Sequence, residues 1–209
     1  MNPQVKTNEF EAFLERLEAR LVLLPTAAQM AFSASCCERA YPNYELFCNL
    51  AKWGDPSVFR NSLDLIWETV TNAQPSHQLL GSLEQSCLKA TPDLDNFAVE
   101  ELDVAAAAAQ DAAFMITLLL QWAKNDGSGY AKRIATFSRD TIDTYVQARE
   151  KISATDPTLE QRIANHPLML RELHRQALDL QHLEQKNNRS NLEQFRAHAM
   201  LQSANISAL

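Results

Sequence analysis

Residues 36–70, CCERAYPNYELFCNLAKWGDPSVFRNSLDLIWETV, hold three of the chain's four cysteines, two of its three tryptophans and two of its four tyrosines among paired charges. Thiols can act as nucleophiles, carboxylates as general acids or bases, and arginines as anion clamps. The residues that could do such work are Glu38, Arg39, Tyr41, Tyr44, Arg60, Asp64 and Glu68, joined by Asp111, which a helical wheel places among Ala107, Met115, Leu118 and Trp122. Gathered around one cavity, they would make a polar pocket for a small molecule, as binding protein or enzyme. The competing reading is that core packing and helix capping account for them, leaving a non-enzymatic helical protein that acts by binding itself or another protein. That second reading leads, because no motif names a reaction or a catalytic residue.

Arg60, Asp64 and Glu68 recur every four residues, the spacing of an exposed ion-pair ladder worth a few tenths of a kcal/mol. Asp111 must find hydrogen-bond donors or stay protonated in its apolar company. Arg39, Arg60, Tyr41 or Tyr44 is its expected partner, and a structural lock its expected role.

Metal chemistry finds no support. A di-iron carboxylate bundle needs Glu-x-x-His on two helices, whereas Glu172-Leu173-His174 points its side chains to different faces. H-E-x-x-H, G-x-G-x-x-G, Walker and nucleophile-elbow patterns do not occur. No cofactor and no metal are expected. Cys36 and Cys37, near an expected helix C-terminus, are poor nucleophile candidates and read as core thiols.

Net charge is -7, and the 19 lysines and arginines are scattered, so nucleic-acid binding is not expected. Four cysteines without a C-x-x-C pair suit free thiols in a reducing cytoplasm, and the N-terminus reads as lacking an export signal. Residues 104–123 are apolar enough to suggest a membrane span, but alanine gains little from lipid and Asp111 would cost about 2.5–3.5 kcal/mol there. A central, protein-buried helix is expected instead.

The elements that must position these residues are helices. Only 4 glycines occur, and 28 leucines stand against 7 valines and 7 isoleucines, a balance that favours helix over sheet. The expected fold is all-α: a single-domain multi-helix bundle over 1–209 with a central alanine-rich helix and a long C-terminal helix. The first helix carries Phe10, Phe13, Leu14, Leu17 and Leu21. A second runs from Pro25 to a stop at Pro42, and a short third ends at Gly54, a left-handed C′ residue. Asp55 and Pro56 then cap and open a fourth, with Phe59, Leu63, Ile66, Trp67 and Val70 inward. A fifth begins between Pro75 and Gly81, and 90–96 is a loop. The alanine-rich helix ends at a glycine joint, 125–129, and the next places Ile134, Ser138, Thr141, Ile142 and Tyr145 inward. Asp156-Pro157 and Asn165-x-Pro167 signal further starts. Leu170, Leu173, Ala177 and Leu180, then Leu192, Phe195 and Ala199, form the inner face of the C-terminal helix, unless it breaks at Asn187-Asn188.

Cys37-Glu38-Arg39, Tyr41-Pro42-Asn43-Tyr44, Phe47-Cys48, Gly54-Asp55 and the run 64–69 (DLIWET) resemble the YjaG-like family of bacterial proteins, domain of unknown function 416. The likeness is densest over 30–72 and continues more thinly through Asp111 and Asn165-x-Pro167 to the tail at 203–206. Ala40 and the long alanine run before Asp111 depart from the family pattern. The resemblance implies a single all-α domain from a bacterial cytoplasm, and brings no activity, cofactor or catalytic residue with it.

Overall fold

The computed structural model describes residues 4–71, 74–98, 102–125, 129–186 and 188–204. Among them are nine α-helices, one short 3₁₀ turn and no strand: α1 Gln4–Leu21, α2 Thr26–Ala51, α3 Pro56–Thr71, α4 His77–Ala90, α5 Asp103–Asn125, α6 Tyr130–Glu150, α7 Leu159–Ala164, α8 Pro167–Gln185 and α9 Arg189–Ala204. The all-α expectation holds. Phe10, the joint at 125–129, the tail at 203–206 and Asn187 fall wholly or partly outside the described residues.

Helix α2 is the axis of the protein. It packs against α5, against α3 and α9, and against α6 and α8, so its residues 30–41 are buried all round. The alanine-rich α5 lies against α2, α4 and α6, and the small side chains at Ala106, Ala109, Ala112 and Ala113, all at 0% exposure, let these helices approach closely. Length and apolar composition alone would let α5 cross a membrane; here its inner stripe is covered by protein.

Two expectations about helix ends are corrected. Pro42 does not stop the second helix: α2 runs through it to Ala51. An interior proline costs about 3 kcal/mol through a missing hydrogen bond and a clash one turn back. Tyr41 and Tyr44 on either side of Pro42 are buried, as are Phe47 and Cys48 beyond it, and burial of those rings outweighs the local penalty. The C-terminal helix divides, with α8 ending at Gln185 and α9 starting at Arg189. The resulting corner lets Leu192, Phe195 and Ala199 fold back into the core, where Phe195 meets the Trp67 ring at 6.3 Å.

The other start signals hold at Asp55-Pro56 and shift by one or two residues elsewhere. Asp55 Oδ1 accepts from the Ser57 amide at 3.0 Å, capping α3 with Pro56 at its first position. Asp156 caps the turn before α7 by accepting from the Thr158 amide at 2.7 Å. At α8 the cap is His166 rather than Asn165, its Nδ1 accepting from the Leu168 amide at 3.2 Å. The stretch read as a loop contains the 3₁₀ turn Leu94–Phe97.

The corner between α2 and α3 turns on Gly54, whose φ of +89° suits glycine and whose Cα faces Cys48 Sγ and Tyr44 Oη. A Cβ there would lie 2.8 Å from each, closer than packed atoms approach. Gly54→Ala is expected to lower stability by more than the ~1–2 kcal/mol of left-handed strain alone, measured as the shift in urea midpoint.

Candidate functional site

The eight candidate residues do not share a cavity. They divide among one buried and one half-buried ionic network on different sides of α2, a tyrosine corner, Asp111 on α5 and the exposed Glu68. Consecutive residues Glu38 and Arg39 lie about 100° apart around the helix axis, and this rotation sends one towards α3 and the other towards α8.

Glu38 is fully buried, and its carboxylate takes two hydrogen bonds from Arg60, both 2.7 Å, and one from Trp67 Nε1 at 2.9 Å. Arg60 also donates to Asp64 at 3.1 Å, and Arg196 from α9 donates to the same Asp64 oxygen at 2.9 Å. The Arg60 guanidinium lies over the Tyr41 ring, 5.3 Å from its centre. Two arginines and two carboxylates thus balance in charge while joining α2, α3 and α9. The expected exposed ladder is therefore corrected: Arg60 turns inward to a buried partner, Asp64 bridges to α9, and Glu68 alone remains on the exposed side.

Arg39 is 3% exposed and uses its whole guanidinium. Nε and Nη2 grip Glu172 at 3.0 Å each, and Nη1 donates to Asp179 at 2.7 Å and to Ser35 Oγ at 2.9 Å. Ser35 donates to Asp179, while Ser138 and Gln176 donate to Glu172 at 2.8 and 3.0 Å. Burial pushes the Glu172 carboxyl up, but the Arg39 charge and the hydrogen bonds from Arg39, Gln176 and Ser138 hold it below the ordinary range. Burial opposes the Arg39 charge, yet Glu172 and Asp179 leave its pKa well above the ordinary value. This network ties α2 to α6 and α8.

Asp111 meets none of its expected partners. Its Oδ2 accepts from Thr141 on α6 at 2.8 Å, because Arg39, Arg60, Tyr41 and Tyr44 are engaged elsewhere. Burial raises its pKa, with Thr141 lowering it and Asp140 raising it further. Tyr41 and Tyr44 donate to backbone carbonyls, Tyr41 to Pro56 at 3.2 Å and Tyr44 to Ala90 at 2.6 Å, which fastens the α2–α3 corner and the end of α4. All four cysteines are free and buried. Burial pushes the Cys36 and Cys37 thiols well above the ordinary value, away from the thiolate that a nucleophile needs.

Sequence reasoning missed Ser35, Glu172, Gln176, Asp179 and Arg196. A signal existed: Ser35 and Arg39 are four apart on α2, and Glu172, Gln176 and Asp179 follow at four and three on α8, so each set lines one face.

An open cavity of about 240 Å³ lies beside this core, where the groove between α2, α5 and α6 runs past the start of α8. Its walls include Asn43, Leu46, Val104, Ala108, Thr141, Ile142, Tyr145 and Leu168. A smaller recess shares Asn43, Thr141, Ile142 and Leu168 and reaches Arg39, Arg171 and Arg175. Of the expected pocket residues, only Arg39 touches either space.

Known proteins resemble this chain at two levels. Proteins called uncharacterized protein YjaG from Salmonella typhimurium and Escherichia coli K12 are 36% identical over 85 residues and 38% identical over 81. These matches take in 40% and 39% of this chain and 43% and 41% of those proteins, so the chain spans well under half their length. The crystal structure of a DUF416 family protein from Shewanella baltica OS155 superposes with a TM-score of 0.78 at 22% identity, over 88% of this chain and 92% of that one, which shows a shared fold. A family model described as Protein of unknown function (DUF416) matches residues 16–208, and the chain belongs to that family.

Proposed function

We propose that this protein acts by association rather than by catalysis, and that its partner is a second copy of the chain. The carrying observation is the uncovered continuation of one α2 face. Arg39, Leu46 and Leu50 recur on the same side of α2, with Trp53 just past its end, but α8 covers that side only as far as Arg39. Beyond it Leu46 is 50% exposed, Leu50 52% and Trp53 37%. Trp53 meets Phe97 edge-on at 5.3 Å, and Phe97 shares the 3₁₀ turn with Leu94, which is 37% exposed. These residues extend one apolar strip across two elements, the kind of surface that marks an interface.

Self-pairing fits the strip's shape. In an antiparallel two-fold pairing centred between Leu46 and Leu50, the leucines of the two copies interleave. The ionic networks support this role by holding α2 rigid beneath the strip. Their carboxylates are already engaged, which leaves little basis for acid–base chemistry. Four buried thiols suit a reducing cytoplasm.

Light scattering after size exclusion tests the proposal. The native chain should elute at twice its monomer mass, and Leu46→Asp/Leu50→Asp should elute as a monomer with unchanged helical circular dichroism. A native monomer at high micromolar concentration, or a double variant that still dimerises, would overturn it.

A further inference from the structure

The cavity beside α8 differs in character from the association strip. Its volume of about 240 Å³ falls just under the ~300 Å³ at which ordinary small-molecule sites begin. At the ~30 Å³ that one water occupies, it has room for about eight water-sized groups, enough for a short chain but not for paired lipid tails. Most of the wall is apolar: Leu46, Val104, Ala108, Ile142 and Leu168.

The end towards the recess is cationic. Arg171 and Arg175 are four apart on α8, with Leu168 one turn before them, so all three lie on one side of that helix. Among the described residues neither arginine makes a hydrogen bond or an ion pair. By contrast, the carboxylate beside them is spent, since Glu172 accepts from Arg39, Ser138 and Gln176. Burial, and then the like charges of Arg171 and Arg39, lower the Arg175 pKa against a smaller opposing pull from Glu172 and Asp179. Counting Arg39, Arg171 and Arg175 against Glu172 and Asp179 leaves this end with one net positive charge. Asp111 hydrogen-bonds to Thr141 in the cavity wall and makes that wall a poor place for a second anion.

We propose that this cavity binds a small anionic amphiphile: a single carboxylate or phosphate head held by Arg171 and Arg175, with an unbranched apolar tail of about eight carbons along Leu46, Ala108 and Ile142. Arginine presents paired donors that match both head groups. The tail gains by leaving water for an apolar groove whose shape exists before binding. The site adjoins the association strip only at Leu46, and neither arginine belongs to that strip.

Isothermal titration calorimetry tests it on the full chain with four probes: octanoate, octyl phosphate, octanol and octyltrimethylammonium. One of the two anions, or both, should bind saturably at one per chain, and octanol and the cation about tenfold more weakly or worse. Arg171→Ala/Arg175→Ala should weaken the anion by about tenfold or more while keeping the native melting curve, because neither side chain makes a hydrogen bond or ion pair among the described residues. Ala108→Phe, which fills the cavity, should abolish binding. Heats that never saturate, octanol binding as well as octanoate, or anion binding unchanged in the double arginine variant would each overturn the proposal. Loss of self-association in Leu50→Asp alone, a residue of the strip that lies outside the cavity walls, with anion binding intact would leave it standing, which separates its failure from that of the association reading.

Discussion

Arg39→Met should destabilise the protein by about 3–5 kcal/mol, the cost of stranding a buried charge when its partner is removed. Glu172 and Asp179, at 4% and 3% exposure, would keep their desolvation and lose their common cation. Methionine matches the length of the lost side chain, so little of the effect comes from a cavity. The pH dependence should change in kind as well. In the native protein Glu172 is held below its ordinary 4.5. A carboxylate lowered on folding contributes stability that is complete above the unfolded value and is lost as pH falls through the folded one. The native protein should therefore lose this contribution only below about pH 4.5. Without Arg39, the upward push of burial dominates, and a raised carboxylate contributes stability that is present below the unfolded value and lost as pH rises. Urea titrations at pH 4, 5.5 and 7 should show the variant's deficit growing with pH; a constant deficit would mean that Arg39 acts through packing alone.

Glu38→Leu should cost about 3 kcal/mol, the low end of the range for breaking a buried pair. The loss is smaller because the Arg60 side chain is 24% exposed and can turn to water and Asp64, whereas Trp67 Nε1 is left in a dry core with no acceptor. Arg60→Met should cost more than Glu38→Leu, since it leaves a carboxylate of 0% exposure beside a single indole donor. Thermal melts followed by near-ultraviolet circular dichroism, which reports on the Trp67 environment, rank the two; the reverse order would contradict the assignment of Glu38 as the buried member.

Much of the fold was legible because helix ends carry local chemistry. Asp55-Pro56 caps where capping rules place it, whereas Asp156-Pro157 folds as a turn ahead of α7, and Gly54 is left-handed as expected although the left-handed residue that ends α2 is Lys52. Pro42 was misread because the rule for proline is local, while the burial of Tyr41, Tyr44 and Phe47 that outweighs it is tertiary. The α8 face was misread for a related reason. Leucine spacing points to Leu170, Leu173, Ala177 and Leu180; Leu180 is buried, yet Leu170 is 51% exposed, and the buried face also holds Met169, Glu172, Gln176 and Asp179. Hydrophobic periodicity finds an interior face only where the interior is apolar, and here α8 packs against an arginine. Within the dense stretch at 36–70, Glu38, Arg60 and Asp64 meet in one network, whereas Arg39 belongs to a second on another side of α2. The partners of Arg39 were not legible, because Glu172 and Asp179 lie more than 130 residues away and meet Arg39 only after folding. The cavity near α8 was invisible for the same reason: its walls come from four helices, and its cations have no partner at short sequence separation.

A double-mutant cycle on Arg39 and Glu172, using Arg39→Met, Glu172→Met and the combination, tests most directly whether the charged residues of this stretch lock helices together. Equilibrium unfolding in urea should give a coupling free energy of about 2–3 kcal/mol, with the double variant more stable than Arg39→Met alone. Single effects that add to within about 0.5 kcal/mol would contradict the lock and return these residues to the search for a site.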